Sequence, residues 1–205
     1  AVTDILVGDA TATGVDITTG TTGTISLDAE SGAVTMAGDS TITATDSSLR
    51  VNAATDITLG NLVAQDVSIV ADTGSVINAS GSTMNVTAGN LRIEADDAIG
   101  ASDRHITTTA ATLTALSTGT DAAGIYITET DTITVDTVTV TVTEFDKTAG
   151  TADVTDAAQS DFVTAANNGN IVLVAGGTIT LNDGDTNGEA VNANGSGSIL
   201  IDANV

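Results

Sequence analysis

Thr55-Asp-Ile57-Thr-Leu59 and Gln65-Asp-Val67-Ser-Ile69 share one pattern: a turn-prone or polar residue, any residue, then two aliphatic residues separated by a polar one. In an extended chain successive side chains point to opposite faces, so both aliphatics of a unit reach the same side. The unit recurs outward from this stretch. Towards the N-terminus it reads Gly23-Thr-Ile25-Ser-Leu27 and Gly32-Ala-Val34-Thr-Met36. Towards the C-terminus it reads Gly89-Asn-Leu91-Arg-Ile93, Ala123-Gly-Ile125-Tyr-Ile127, Gly169-Asn-Ile171-Val-Leu173, Gly177-Thr-Ile179-Thr-Leu181 and Gly197-Ser-Ile199-Leu-Ile201. Weaker copies sit at Ile42 and at Met84-Asn-Val86. Gly, Asn and Asp between the units supply turns.

Strands this short and this self-similar fit stacked coils better than a sandwich, because each rung of a stack must resemble the next. Two or three units make one coil of roughly 17 to 27 residues, with coils about 4.8 Å apart. Composition agrees. The chain has no Pro, Cys or Trp, one Tyr and two Phe, yet 41% of its residues are hydrophobic. A core without aromatic bulk must be thin and built from Val, Ile, Leu and Ala. Abundant Thr and other β-branched residues favour extended backbone. We therefore expect an all-β fold, a right-handed parallel β-helix or β-solenoid. It forms a single segment over 1–205, part of a longer rod. No stretch looks like a signal peptide, so residue 1 is not expected to be the native start of a secreted precursor.

The repeat breaks once. Thr137 to Val142 alternates Thr and Val, the mark of a half-buried strand. Residues 143–168 read as an irregular excursion. Val154, Ala157, Ala158, Phe162 and Ala165 have helical spacing, with Thr155 placed as a cap. The competing reading is a long coil turn in which Phe162 covers the wall. Phe145, Lys147 and Phe162 fall in this excursion and are its candidate interaction residues. Residues 99–117 are also less regular and read as degenerate coils.

Four Lys and Arg against 27 Asp and Glu leave a net charge of −23. Phosphate backbones and anionic lipid both need a basic surface, so nucleic acid and docking on anionic lipid are not expected; no stretch is long and apolar enough to span a bilayer, so direct membrane insertion is not expected either. Such a surface keeps a protein soluble and can hold divalent cations. Asp183-Gly-Asp185-Thr-Asn187-Gly188-Glu189 spaces oxygen ligands like the first half of a calcium loop. Asp183, Asp185, Asn187 and Glu189 are thus candidate calcium ligands, the alternative being a plain polar turn. The twelfth position is Asn194 rather than Glu, which departs from an EF-hand.

Catalytic signals are thin. His105, the only His, neighbours Ser102, Asp103 and Arg104, but no nucleophile elbow or second His accompanies it. Asp96-Asp97 could serve as an acid–base pair in a polysaccharide-processing enzyme. A sugar cleft would also need aromatic and basic neighbours, which the composition scarcely supplies. No enzyme is expected.

The stretch from Ala54 to Ile77, together with Leu91-Arg-Ile-Glu-Ala-Asp-Asp-Ala-Ile-Gly100 and Gly124-Ile-Tyr-Ile-Thr-Glu129, resembles repeats of filamentous-haemagglutinin-like exoproteins and giant bacterial cell-surface proteins. The resemblance spreads over most of the chain. It implies a secreted right-handed β-helix in a cell-surface fibre, with roles in adhesion or cell contact. Without Pro, the Asn-Pro motif of the two-partner secretion domain is absent, and no catalytic residue carries over. The expected function is a structural shaft or repeat module of an extracellular fibre. Its partners would be itself, through end-to-end stacking or tandem repeats, and other cells, glycans or surface proteins. The alternative is a glycan- or protein-binding module acting through 143–168.

Overall fold

The computed structural model describes residues 3–8, 14–120, 123–166 and 168–203. Every regular element among them is a strand, from Ile5–Val7 to Ile199–Ala203. The all-β expectation therefore holds. Each of the nine aliphatic units lies on a strand, as the alternation requires. Residues 99–117 are more regular than expected, since Ile106–Ser117 is one continuous strand.

The strands pair in parallel with stretches further along the chain, and like side chains fall on like. Ile5 pairs with Val34, Val34 with Ile57, and Ile57 with Val76. Parallel bridges carry this row through Ile99 to Ile125, and strands continue it to Ile171 and Ile199. A second row runs Ile25, Leu49, Val67, Leu91, Leu113, Val135 and Leu181. Two residues along the same strands runs Leu27, Val51, Ile69, Ile93, Ala115, Phe162 and Val191. Two further on, alanine repeats at 29, 53, 71 and 95 before Ser117, Thr164 and Ala193 take over. The side chains of these rows meet in a single core that is aliphatic except for Phe162. The small alanine row marks where the strands approach a turn and the space narrows.

Most pairings join residues roughly 18 to 29 apart. One set is about twice as long: Ile125 pairs with Ile171 and Ile133 with Ile179. Val135 and Phe162 explain the difference. They stand side by side on the same neighbour strand, one above Leu113 and the other above Ala115. The chain between them leaves the stack and returns to the same level.

That insertion is an antiparallel hairpin of Val138–Phe145 and Thr151–Gln159. It corrects the helical expectation for 154–165. Val154 to Ala158 are extended, and Phe162 begins the short strand Phe162–Thr164. Helical spacing of small apolar residues is weak when a neighbouring Val-Thr strand offers a ladder. Phe162 does not cover the wall from outside; it fills the core and is fully buried.

The rows make stability depend on stacking. Ile69 is fully buried whereas Leu181 is 43% exposed. Ile69→Ala should therefore cost about 2–5 kcal/mol and Leu181→Ala less than about 1 kcal/mol, measured by urea unfolding.

Candidate functional site

Among the strands of the described residues, the hairpin is the pair that breaks the parallel pattern. Val138, Val140 and Val142 are buried on its inner side, while Thr139 and Thr141 face out. Beneath it lies an outward row of the parallel sheet, Ser26, Arg50, Ser68, Arg92 and Thr114. Two of the four cations of the chain are thus placed under one hairpin.

Arg50 holds it. Its Nε donates to both carboxylate oxygens of Asp156 at 3.1 Å. Its Nη1 lies 3.7 Å from Glu144 and 3.9 Å from Asp28. Ser26 donates to Glu144, and the Thr24 hydroxyl to the Thr143 carbonyl. Lower down, Arg92 donates to the Ala157 carbonyl and Gln159 to the Ile93 carbonyl. These contacts climb from the Ile93 level to the Thr24 level, so the hairpin runs along the stack across several strands. Ser68 Oγ, Arg92 Nη1 and Gln159 Oε1 are buried beneath it without a protein partner. Asp72 nearby has its carboxyl pushed up chiefly by burial. Arg50 pulls it down, while Asp28, Glu94 and Asp156 add to the rise.

The Arg50 and Asp156 side chains are 12% and 11% exposed. Breaking a pair this buried strands a charge, so Arg50→Ala should cost about 3 kcal/mol. Asp28→Asn, at a longer and more exposed contact, should cost less than about 1 kcal/mol. Thermal or urea unfolding of the two variants measures the contrast.

Of the three candidate interaction residues, only two remain at the surface. Phe145 is 72% exposed and Lys147 is exposed with it at the hairpin tip. The turn is held by Asp146, whose Oδ1 accepts from the amides of Thr148 and Gly150 and from the Thr148 hydroxyl. Those bonds hold the Asp146 carboxyl below its usual range. Phe162 belongs to the core and cannot take part.

The acidic loop assembles differently from its motif. Asp183 accepts from the Asn187 and Gly188 amides, and Asp185 accepts from Asn187 as well. Asn187 Oδ1 is taken by the Glu189 amide, and the Glu189 carboxylate by Asn192. Asn187 and Glu189 are thus both bonded within the turn. A residue outside the motif joins the two aspartates: oxygens of Asp161, Asp183 and Asp185 lie within 4.8 Å of one another. Asp161 is almost wholly buried, and its Oδ1 accepts from the Gly184 amide at 3.2 Å. Burial pushes its carboxyl up, the Gly184 bond opposes this, and Asp185, Asp183 and Asp136 push further up. Three carboxylate oxygens this close are a donor set of the type that hard cations use.

A raised carboxyl pKa means that the folded state holds its proton more tightly than the unfolded chain. Between the unfolded and folded pKa values the native state binds more protons, so stability falls as pH rises through that window. Above it the penalty is complete. Asp161→Asn, in chelator-containing buffer at pH 7, should therefore raise the unfolding midpoint, and this gain should shrink as pH falls through the window.

His105 Nδ1 is 2.8 Å from the Thr128 hydroxyl, and its ring is tilted against Tyr126 at 5.9 Å. Burial lowers its pKa. Because the unfolded chain then binds the extra proton first, stability should fall as pH drops below 6.5. An NMR titration of His105 should show a midpoint below that value. Ser102 and Asp103 are exposed on the turn before it. Asp96 Oδ1 accepts a long bond from Thr118, and the Asp97 carbonyl accepts from Ser117. The one buried Glu, Glu129, accepts from the Thr108 hydroxyl and from the amides of Ala110 and Thr130. Burial still pushes its carboxyl up. All of these bonds tie adjacent strands or turns together.

No family model, curated protein or solved structure matches the chain. No helix of the described residues is long and apolar enough to cross a membrane.

Proposed function

We propose that this chain is a structural shaft module of an extracellular bacterial surface fibre, folded as a right-handed parallel β-helix. The observation that carries the proposal is the row from Ile5 to Ile199, parallel at every step. A chain that pairs each stretch with its own later equivalent is coiling around one core. Parallel crossovers are right-handed in nearly all proteins, which gives the hand. Each coil also presents to the next the same strand polarity and the same aliphatic rows, so further coils, in tandem or from other copies, extend the rod without a new interface. The surface proposal draws on the likeness to haemagglutinin-type repeats and on the acidic exterior, which keeps a long rod from collapsing on others. A mechanical role also suits the polar side chains, most of which bond between neighbouring strands rather than around a cleft.

Electron microscopy and fibre diffraction of the native material test this. Rods with a meridional repeat of about 4.8 Å are expected. Compact isolated particles without that repeat would remove the fibre role.

A second reading, binding of a glycan or protein through the hairpin, is favoured by Phe145. It is a large aromatic left 72% exposed on a tip beside Lys147. Phe145→Ala should then reduce adhesion to cells or glycan arrays at least tenfold while leaving the unfolding midpoint unchanged; adhesion at the parent level would dismiss it.

A further inference from the structure

One outward row of the sheet carries exposed aliphatic side chains on an uncharged strip. Between the core positions of the Ile5-to-Ile199 row and their partners two residues on, the side chains point away from the core. In stacking order they are Leu6, Thr35, Thr58 and Ile77. The bridges at Ile99 and Ile125 continue the row through Gly100 to Tyr126, and strands carry it to Val172 and Leu200. No member is charged, in a chain of net charge −23. Three of the seven large hydrophobic residues exposed among the described residues, Leu6, Ile77 and Leu200, lie in it. The bordering carboxylates of Asp4 and Asp56 are turned to the backbone, where they accept from the Ala33 and Ser75 amides.

The row has a bump and a hollow at its centre. Ile77 stands out at 37% exposure. Next to it, Gly100 leaves a hollow of about 230 Å³ lined by Ile77, Ala98 and Ala101, with Arg104 at the rim. Glycine is required there. Its φ is +71°, and a Cβ would meet the Tyr126 carbonyl oxygen at 2.5 Å.

We propose that this stripe is a lateral self-association surface, on which a second copy of the chain lies antiparallel about a two-fold axis between the Ile77 and Gly100 levels. Two-fold contacts require a surface that complements itself. Placing the axis there seats Ile77 of each copy over the Gly100 hollow of the other. It sets Thr58 against Tyr126, Thr35 against Val172 and Leu6 against Leu200, so each bulky residue but the last pair meets a smaller one. The occupant follows from charge. Two strongly acidic rods repel wherever carboxylates face each other, and an uncharged stripe lets them touch without burying like charge. Eight levels at about 4.8 Å and a face about 16 Å wide give roughly 1,100 Å² in total, at the lower bound for a specific interface. The pairing does not depend on the fibre role, since it uses the side of the stack.

Sedimentation equilibrium of the chain should show a monomer–dimer equilibrium that tightens as NaCl rises from 20 to about 500 mM, because salt screens the repulsion. Ile77→Lys should weaken dimerisation at least tenfold, and Leu200→Lys should weaken it as well. Thr141→Lys, a matched charge change on the outer side of the hairpin, should not weaken it. Circular dichroism would show that each variant is folded, and Leu200→Lys carries the test if Ile77→Lys is not. A nitroxide on Thr35→Cys should report an intermolecular distance of about 25–30 Å, from five levels of about 4.8 Å plus the gap between faces. A parallel pair would bring the labels to about 10 Å. A monomer under all salt conditions at millimolar concentration, a dimer indifferent to both lysines on the stripe, or the short label distance would each overturn the proposal.

Discussion

Parallel pairing in constant register is the constraint on which everything else in this protein depends. Once Leu49 sits on Val67 and Val67 on Leu91, every other side chain of those strands is fixed to a row, inward or outward. A slip by one residue would turn Val51, Ile69 and Ile93 out to water and bring Arg50, Ser68 and Arg92 into the core. With the pairs 4.8 Å apart, such a slip moves whole columns rather than one contact. The register is therefore pinned by burial and needs no aromatic residues to specify it.

The same constraint explains where polarity goes. The interior is filled almost wholly by aliphatic side chains with Phe162 among them, so nearly all cations and carboxylates occupy outward rows or turns. Arg50 and Arg92 share one such row with serines between and below them, and the hairpin closes over it. Its valines remove the arginine stems from water, and Asp156 and Glu144 answer the Arg50 charge. Where the core row itself turns polar, at Thr108 and Glu129, the two side chains bond to each other and to the backbone. The buried carboxylate is held by a neighbouring level and by the Thr130 amide next to it.

Insertion is tolerated because each level is a separate unit. The chain leaves after Val135 and resumes at Phe162 on the same neighbour, so the levels above and below keep their register. Contacts from Thr24 to Gln159 then lock the hairpin across several levels, converting a local excursion into a brace along the stack. This brace also decides the environment of Phe145, which the hairpin carries to its tip and leaves in solvent.

Period-two alternation and the recurring unit were enough to determine the all-β class, the nine aliphatic strands and the Val-Thr strand after Thr137, because these follow from local side-chain direction and composition. The hairpin's second strand was not legible: Val154 to Ala158 carry no strong preference, and their strand exists only because Val138–Phe145 supplies its ladder. Phe162 could not be assigned to the core, since its place depends on Ala115 beneath it. Asp183 and Asp185 were visible as a motif, but Asp161 joins them only through pairing of distant strands. The uncharged outward stripe was equally hidden, its members scattered from Leu6 to Leu200. Sequence fixes which way a residue faces; only tertiary pairing decides which residues, separated by roughly 18 positions or more, stand on one another.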